Sequence, residues 1–291
     1  MTAPAPMTGD PASRKPRDDE IDVHGLTHRG KLREVNEDHF LIASLHKKVQ
    51  VHMTSLPSSQ EFGDTERLAF LAMVADGVGG GPHGSDASRW ALEGVTHYVT
   101  HSLQCYYSSN TADETAFLAG LEDAALHCHS ELQQRAEDDP AHEGMASTLT
   151  LWLGVWPRAY LLQVGDSRAY LLRDERLAQL SRDQTMAQVL IDQGILTRVD
   201  AAGTRWEHVL SSSIGGPESV PVVTRFDQQW GDVGLLCSDG LTKHVPDERI
   251  RERLLAMPSA REGCEALLQD ALDAGGTDNI TIIIGRTAKR P

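Results

Sequence analysis

Short apolar runs that end in glycine or polar residues recur along the chain and predict β-strands. The predicted strands are 38–43, 68–75, 149–155, 159–164, 168–172, 233–237 and 280–285. Longer segments with apolar residues three or four positions apart predict helices over 87–107, 113–136, 184–193 and 259 to about 275. Asp86 is the predicted N-cap of the first helix, and Ser259 with Glu262 forms a predicted capping box for the last. Strands that occur in runs, followed by pairs of helices, predict an α+β fold with antiparallel sheet.

One domain is predicted over residues 21–287, because no linker long enough to divide this stretch occurs in it. Residues 1–20 are rich in Pro, Ala and charged residues, show no periodicity, and are predicted to be a disordered tail. Residues 44–66 contain Pro, Ser and Gly and are predicted to form a long hairpin or an inserted loop.

Composition is that of a globular protein, since 40% of the 291 residues are hydrophobic and 24% are charged. No apolar run approaches the roughly 18 residues of a membrane span, and the N-terminus lacks the apolar segment of a signal peptide. A cytoplasmic location is therefore expected, and a monomer is the default for the oligomeric state, which the sequence does not indicate. The four cysteines are widely spaced, which favours reduced thiols over a zinc site or a disulfide framework: Cys105, Cys128, Cys237 and Cys264.

The formal net charge of −15 argues against nucleic acid and anionic membranes as partners. The same charge repels a phosphorylated substrate at long range. A phosphate-binding site in this chain would therefore need a strong local positive charge, which bound divalent cations held by aspartates would supply.

Four aspartates stand at the ends of predicted strands. Three of them directly follow an apolar run: Asp76 (with Gly77 after it), Asp166 and Asp239. The fourth, Asp278, stands just before the last apolar run of the chain. Any one of them is readily explained as a turn residue. Four carboxylates at one edge of a sheet would repel each other, however, and buried carboxylates need a compensating cation.

Basic residues look scarce beside these aspartates, apart from Arg168. Ligands that are all oxygen select hard ions such as Mg²⁺ or Mn²⁺, and the carbonyl of Gly77 could serve as one more such ligand. At the start of the first predicted strand lie Arg33 and Glu37, just before it, and Asp38, its first residue. Arginine suits bidentate phosphate binding, although a solvated charged turn also accounts for this segment.

The ordered set of motifs resembles the metal-dependent protein phosphatases, the type 2C serine/threonine phosphatases, in their bacterial form. Seven pieces occur in family order between about residues 22 and 286, and together they make a specific signal. They are His28-Arg29-Gly30 with Arg33…Asn36-Glu37-Asp38, Ala75-Asp76-Gly77-Val78-Gly79-Gly80, Gly144-Met145-Ala146-Ser147-Thr148, Val164-Gly165-Asp166-Ser167-Arg168, Arg182-Asp183-Gln184-Thr185, Cys237-Ser238-Asp239-Gly240-Leu241 and Gly275-Gly276-Thr277-Asp278-Asn279.

This resemblance implies two antiparallel sheets packed as a sandwich flanked by pairs of helices, with two Mn²⁺ or Mg²⁺ ions at one edge. It implies that Asp76 bridges both ions, that the Gly77 carbonyl binds one of them, and that Asp239 and Asp278 complete the other. Asp166 would hold a third ion shared with Asp239.

For the remaining groups, the resemblance implies that Glu37 and Asp38 act through metal-bound waters and that Arg33 binds the substrate phosphate. A hydroxide that bridges two ions would attack phosphorus. The implied partners are phosphorylated proteins, as targets of a serine/threonine kinase. His208 falls where a flap would add a ligand.

Two positions depart from the family pattern. Val78 stands where animal members carry a histidine, and Gly81 stands where bacterial members usually carry one, with His83 two residues on. Three interpretations follow: an active protein phosphatase, a binding module that keeps the fold without turnover, and a metal-dependent hydrolase of small phosphoesters. A binding module without turnover would lack some of the acids, and none is missing. A hydrolase of small phosphoesters would be favoured by a nucleotide loop or a basic groove, and neither occurs in the sequence.

Overall fold

The computed structural model describes residues 14–46, 49–55, 67–79, 82–102 and 114–288. Within these ranges the chain forms twelve strands in two antiparallel sheets. The strands are β1 (Ile21–His28), β2 (Asp38–Leu45), β3 (Val49–Thr54), β4 (Ala69–Val78), β5 (Ala146–Ser147), β6 (Leu149–Val155), β7 (Arg158–Val164), β8 (Arg168–Arg173), β9 (Arg176–Gln179), β10 (Val222–Asp227), β11 (Val233–Cys237) and β12 (Ile280–Thr287).

The five-stranded sheet has the order β1-β12-β11-β8-β9, and the seven-stranded sheet has the order β10-β7-β6-β4-β2-β3 with β5 paired to β4. The sheets pack face to face, since one buried apolar cluster contains Phe40 and Val74 from the larger sheet together with Leu236 and Ile283 from the smaller. The predicted α+β fold is confirmed, and the packed sheets form the sandwich that the resemblance implied.

Helices cover the outer faces of both sheets. The described α-helices are α1 (Pro82–Ser102), α2 (Glu114–Asp138), α3 (Met186–Asp192), α4 (Arg198–Ala201), α5 (Asp239–Thr242), α6 (Asp247–Ala256) and α7 (Ala260–Asp273). Leu92 of α1 and Leu121 of α2 are buried in a core with the larger sheet, and Leu254 of α6 and Leu267 of α7 are buried in a core with the smaller. Among the described helices, none combines the length and the apolarity that crossing a membrane requires.

Helix α1 begins earlier than the sequence predicts. It starts at Pro82, so Asp86 lies inside the helix, where it accepts a hydrogen bond from Arg89 at 2.6 Å and does not cap the first turn. Residues 103–107 and 113 of the two predicted long helices lie outside the described ranges. Ser259 is confirmed as an N-cap, because its side chain accepts a hydrogen bond from the backbone N–H of Glu262.

The segment 44–66 begins as the predicted hairpin, since β3 pairs antiparallel with β2, while residues 56–66 lie outside the described ranges. The limits of the tail and of the domain stay a prediction. Residues 1–13 are not described, but within 14–20 the Arg14 carbonyl accepts a bond of 3.2 Å from Trp230 and Asp18 pairs with Arg67 at 2.9 Å, so this part contacts the folded body.

Candidate active site

Acidic side chains from both sheets meet at one end of the sandwich. Asp38 opens β2 and Asp76 lies near the end of β4, and the register of the two strands places them directly opposite each other. Asp239 follows β11 as the first residue of α5, and Asp278 lies just before β12. Asp166 occupies the turn that carries the chain from β7 in one sheet to β8 in the other.

A hydroxyl group joins the two halves of this cluster. Ser238 donates a hydrogen bond of 2.7 Å to Asp38 Oδ2, although the two residues are 200 positions apart in sequence. The same hydroxyl accepts a bond of 3.0 Å from the backbone N–H of Thr281. Asp38 in the larger sheet is thereby fixed against β11 and β12 of the smaller one.

Four of these acids are hard to ionise in the absence of other cations. Burial raises the pKa of Asp38 to about 7, and the negative charges of Asp239 and Asp278 add to this effect. Burial also raises the pKa values of Asp76, Asp166 and Asp239, again with a contribution from neighbouring carboxylates.

Two basic side chains lie in the cluster: Arg33, which the sequence analysis placed at the site, and Lys243, which it did not anticipate. Lys243 Nζ lies 2.6 Å from Asp239 Oδ2 and 2.6 Å from Asp278 Oδ2. Arg33 lies 2.8 Å from Asp278 Oδ1. Burial opposes ionisation of Asp278, but hydrogen bonds and charge from Lys243 and Arg33 outweigh it and lower the pKa of this carboxyl. The expectation that bases are scarce here, apart from Arg168, is wrong, and Arg168 itself is bound to Asp183 at 2.6 Å.

The position of Lys243 has a sequence signal that was overlooked. It follows Asp239 by four residues, and residues four apart on a helix lie on the same face. The helical pairing could therefore be found in the sequence. The contact with Asp278 could not, because it depends on how the α5 segment lies against the start of β12.

The cluster fits divalent cations. Asp38 Oδ1 and Asp239 Oδ1 are buried and, within the described part of the chain, accept no hydrogen bond. A buried carboxylate oxygen without a partner is costly, and an ion would satisfy it. All the side-chain donors are oxygen atoms, which suits Mg²⁺ or Mn²⁺. Among the described residues, no three of these acids bring one oxygen each within 4.8 Å of the others.

Gly77 and Asn279 hold the backbone segments that carry the remaining predicted site residues. A Cβ atom on Gly77 would lie 2.1 Å from the carbonyl oxygen of Gly84 in α1, so only glycine permits this approach. Asn279 accepts a bond of 2.8 Å from the backbone N–H of Glu37 and donates to the carbonyls of Arg29 and Val35, at 3.0 Å each. It thereby fixes the loop that carries Arg33.

Part of the acid cluster lines a cleft of about 1330 Å³, together with other charged and polar side chains. The residues that line it include Arg33, Asp166, Asp239 and Asp278. His208, which the sequence analysis placed in a flap, also lines the cleft. The structure therefore brings the predicted site residues to one region, although their individual roles stay predictions.

Known proteins share this sequence and architecture. The family model described as Protein phosphatase 2C matches residues 58–274. The serine/threonine protein phosphatase PstP of Mycobacterium tuberculosis is 35% identical over 218 residues, which are 74% of this chain and 40% of PstP. The chain therefore spans well under half the length of that relative. The serine/threonine phosphatase stp of Listeria welshimeri is 30% identical over 222 residues, which are 74% of this chain and 83% of that protein.

A solved structure agrees with the sequence comparison. The catalytic domain of PstP in complex with two manganese ions superposes with a TM-score of 0.70 and 30% identity, covering 92% of this chain and 99% of that domain. The order of motifs, the sandwich and the match over most of the chain lead to one conclusion. The chain belongs to the protein phosphatase 2C family.

Proposed function

We propose that this chain is a metal-dependent serine/threonine protein phosphatase whose substrates are phosphorylated proteins. The observation that carries the proposal is the gathering of Asp38, Asp76, Asp166, Asp239 and Asp278 from both sheets, with two buried carboxylate oxygens left without partners. The manganese ions of the PstP catalytic domain support the choice of cofactor, Mn²⁺ or Mg²⁺.

Each residue has a proposed role at the ions. Asp76 would contact both ions, the Gly77 carbonyl would bind one of them, and the Asp239 and Asp278 carboxylates would complete the other, while Asp166 would share a third ion with Asp239. Glu37 and Asp38 hold coordinated waters in place. When bound, two divalent ions would lower the pKa of water in the site, which would supply hydroxide near neutral pH to attack phosphorus.

Arg33 is proposed to bind the phosphoryl oxygens. Its side chain is 46% exposed and lines the cleft, so its guanidinium can reach a phosphate that enters from solvent. Its contact with Asp278 holds the guanidinium at the edge of the acid cluster. Binding of a phosphate there neutralises charge that develops on the transferred group.

The first test is hydrolysis of a phosphothreonine peptide with added Mn²⁺. Asp239→Asn should lower kcat on the order of 10²-fold or more, because a ligand of the ions is lost. The exposed Asp123→Asn in α2 makes the same chemical change away from the site and should leave the rate unchanged. Wild-type turnover by Asp239→Asn would contradict the assignment of the metal ligands.

In the same assay, Arg33→Ala should raise KM more than it lowers kcat, whereas the exposed Arg29→Ala should change neither. An unchanged KM would remove Arg33 from phosphate binding. Metal titration that detects no bound ion would favour a binding module without turnover. Preference for small phosphoesters over phosphopeptides in a substrate panel would favour the other class of hydrolase.

A further inference from the structure

A second group of side chains that could bind a metal lies at the start of α1 and shares no residue with the candidate active site. It consists of His83, Asp86 and His142, and one ligand atom of each lies within 4.8 Å of the others. His83 and Asp86 are three residues apart on α1 and therefore share a face of the helix. His142 is the last residue of a short 3₁₀-helix, Pro140–His142.

The two imidazoles have unsatisfied nitrogens. His83 Nδ1 and His142 Nδ1 are both buried, and neither has a hydrogen-bond partner in the described part of the chain. The rings meet edge to face with their centroids 5.7 Å apart. Buried polar atoms normally have partners, and Asp139 Oδ2, at 3.7 Å from His142 Nδ1, is too distant for a hydrogen bond, so these two nitrogens need an explanation.

The surroundings hold the three side chains in place. The ring of His142 packs against Trp90 of α1, with 5.1 Å between centroids. Asp139 caps the 3₁₀-helix by accepting a bond of 2.9 Å from Ala141. Asp86 Oδ1 accepts a bond of 2.6 Å from Arg89, which leaves the second carboxylate oxygen for an ion.

From these contacts we infer that His83, Asp86 and His142 form a binding site for a divalent transition-metal ion, distinct from the carboxylate cluster. Two imidazoles and one carboxylate are a donor set that suits Zn²⁺ and disfavours Mg²⁺, which takes oxygen ligands and keeps its waters. A water molecule would complete a four-coordinate shell. The bound ion would link the first turn of α1 to the segment before β5.

This link lies next to the catalytic region. Gly84 follows His83, and its carbonyl oxygen contacts the backbone of Gly77 so closely that no Cβ fits between them. An ion held by His83 would therefore stabilise the helix turn against which the Gly77 carbonyl is positioned. The site is inferred from its own donors, independently of the proposed phosphatase activity.

The experiment is equilibrium dialysis of the tag-free chain against Zn²⁺ in a large excess of Mg²⁺, which occupies the oxygen site. The wild type should retain about one Zn²⁺ per chain, and His142→Ala and Asp86→Asn should each lower its affinity at least about tenfold. His127→Ala removes an exposed histidine of α2 and serves as the matched control. Zn²⁺ should also raise the melting temperature of the wild type and of the control, but not that of the two site variants.

Two results would overturn the inference: no Zn²⁺ retained by the wild type, or equal Zn²⁺ affinity in the wild type and both site variants. Circular dichroism establishes that each variant is folded, and Asp86→Asn carries the test if His142→Ala does not fold. Mn²⁺-dependent phosphopeptide hydrolysis by the same preparations reports on the proposed function separately.

Discussion

Lys243 places a positive charge where the proposed metal ligands converge. Its ammonium group bonds to Asp239 and Asp278, and Arg33 occupies the other oxygen of Asp278. Both oxygens of Asp278 are therefore held by basic groups, and an ion that binds this carboxylate must displace one of them. Lys243 thus balances part of the acidic charge without metal and competes with metal for the same oxygens.

Replacement of Lys243 by glutamine should tighten Mn²⁺ binding by about tenfold, because the competing charge is removed. It should also lower the stability of the metal-free chain by roughly 1–3 kcal/mol, since two carboxylates lose their partner. Calorimetric titration and thermal unfolding in EDTA measure the two effects. Arg261→Gln, which breaks an exposed pair with Glu265 at the same four-residue spacing, is the matched control. Equal Mn²⁺ affinity in wild type and Lys243→Gln would show that the lysine does not compete.

Asp38 predicts a dependence on pH that has a definite sign. Its pKa is about 7 in the folded metal-free chain, raised by burial and by neighbouring carboxylates, and about 3.9 in an unfolded chain. Between these two pKa values the folded chain keeps a proton on Asp38 that the unfolded chain has lost. The stabilisation that comes from binding this proton is lost as pH rises towards 7. Asp38→Asn cannot ionise, so in EDTA its stability relative to wild type should increase between pH 5 and pH 8, by at most about 3 kcal/mol. Chemical denaturation at several pH values checks this, and a difference that stays constant with pH would contradict it.

At the scale of elements, the approach of β4 to α1 depends on Gly77. A Cβ there would meet the Gly84 carbonyl at 2.1 Å and the Glu37 carbonyl at 2.9 Å, and both of these neighbours are backbone atoms that cannot rotate away. Gly77→Ala should therefore destabilise the fold by about 1–3 kcal/mol or more and weaken Mn²⁺ binding. Gly285→Ala in β12 is the control, because its nearest neighbour would be a side-chain carbon at 3.6 Å. Denaturant unfolding and metal titration of both variants measure the difference, and equal behaviour would refute the steric argument.

The elements that the sequence predicted are those with buried apolar runs. Strands β6 and β11 have the bounds that the sequence indicated, and β6 is mostly buried. The strands that were missed lack such runs: β1 is only partly buried, and β10 is an edge strand with mostly exposed residues. Their stability comes from pairing with distant segments, such as Ile21 opposite Thr287, which local periodicity cannot report.

The candidate site, like the fold, could be predicted from the sequence only in part. Acids at strand ends could be predicted, because an apolar run that stops at Asp76 or Asp239 is visible in the sequence. Contacts between segments far apart in the chain, such as Ser238 with Asp38 or His83 with His142, follow only from the packing of the elements. The resemblance to a family supplied the order of the motifs, and the fold then showed which side chains meet.

For the whole molecule, the net charge of −15 opposes the approach of anionic substrates. Salt screens this repulsion, with a Debye length of about 10 Å at 0.1 M. For an acidic phosphopeptide, kcat/KM should therefore rise as NaCl increases from about 10 to about 150 mM, whereas for a basic phosphopeptide it should fall. Steady-state kinetics with two peptides that differ only in flanking charges make the comparison. A fall for both peptides would show that the local charge of the ions and Arg33 dominates association.

The pairing of Asp38 with Asp76 constrains how the gene can change in length. The ladder continues without interruption from this pair to Leu45 opposite Ala69, and successive residues in each strand face opposite sides. Deletion of one codon within either strand would reverse the facing of every residue beyond it and separate the two acids. Insertions and deletions in homologous genes should therefore collect in the connection between the strands outside β3, at 46–48 and 56–66, where a change of length removes no residue from these ladders.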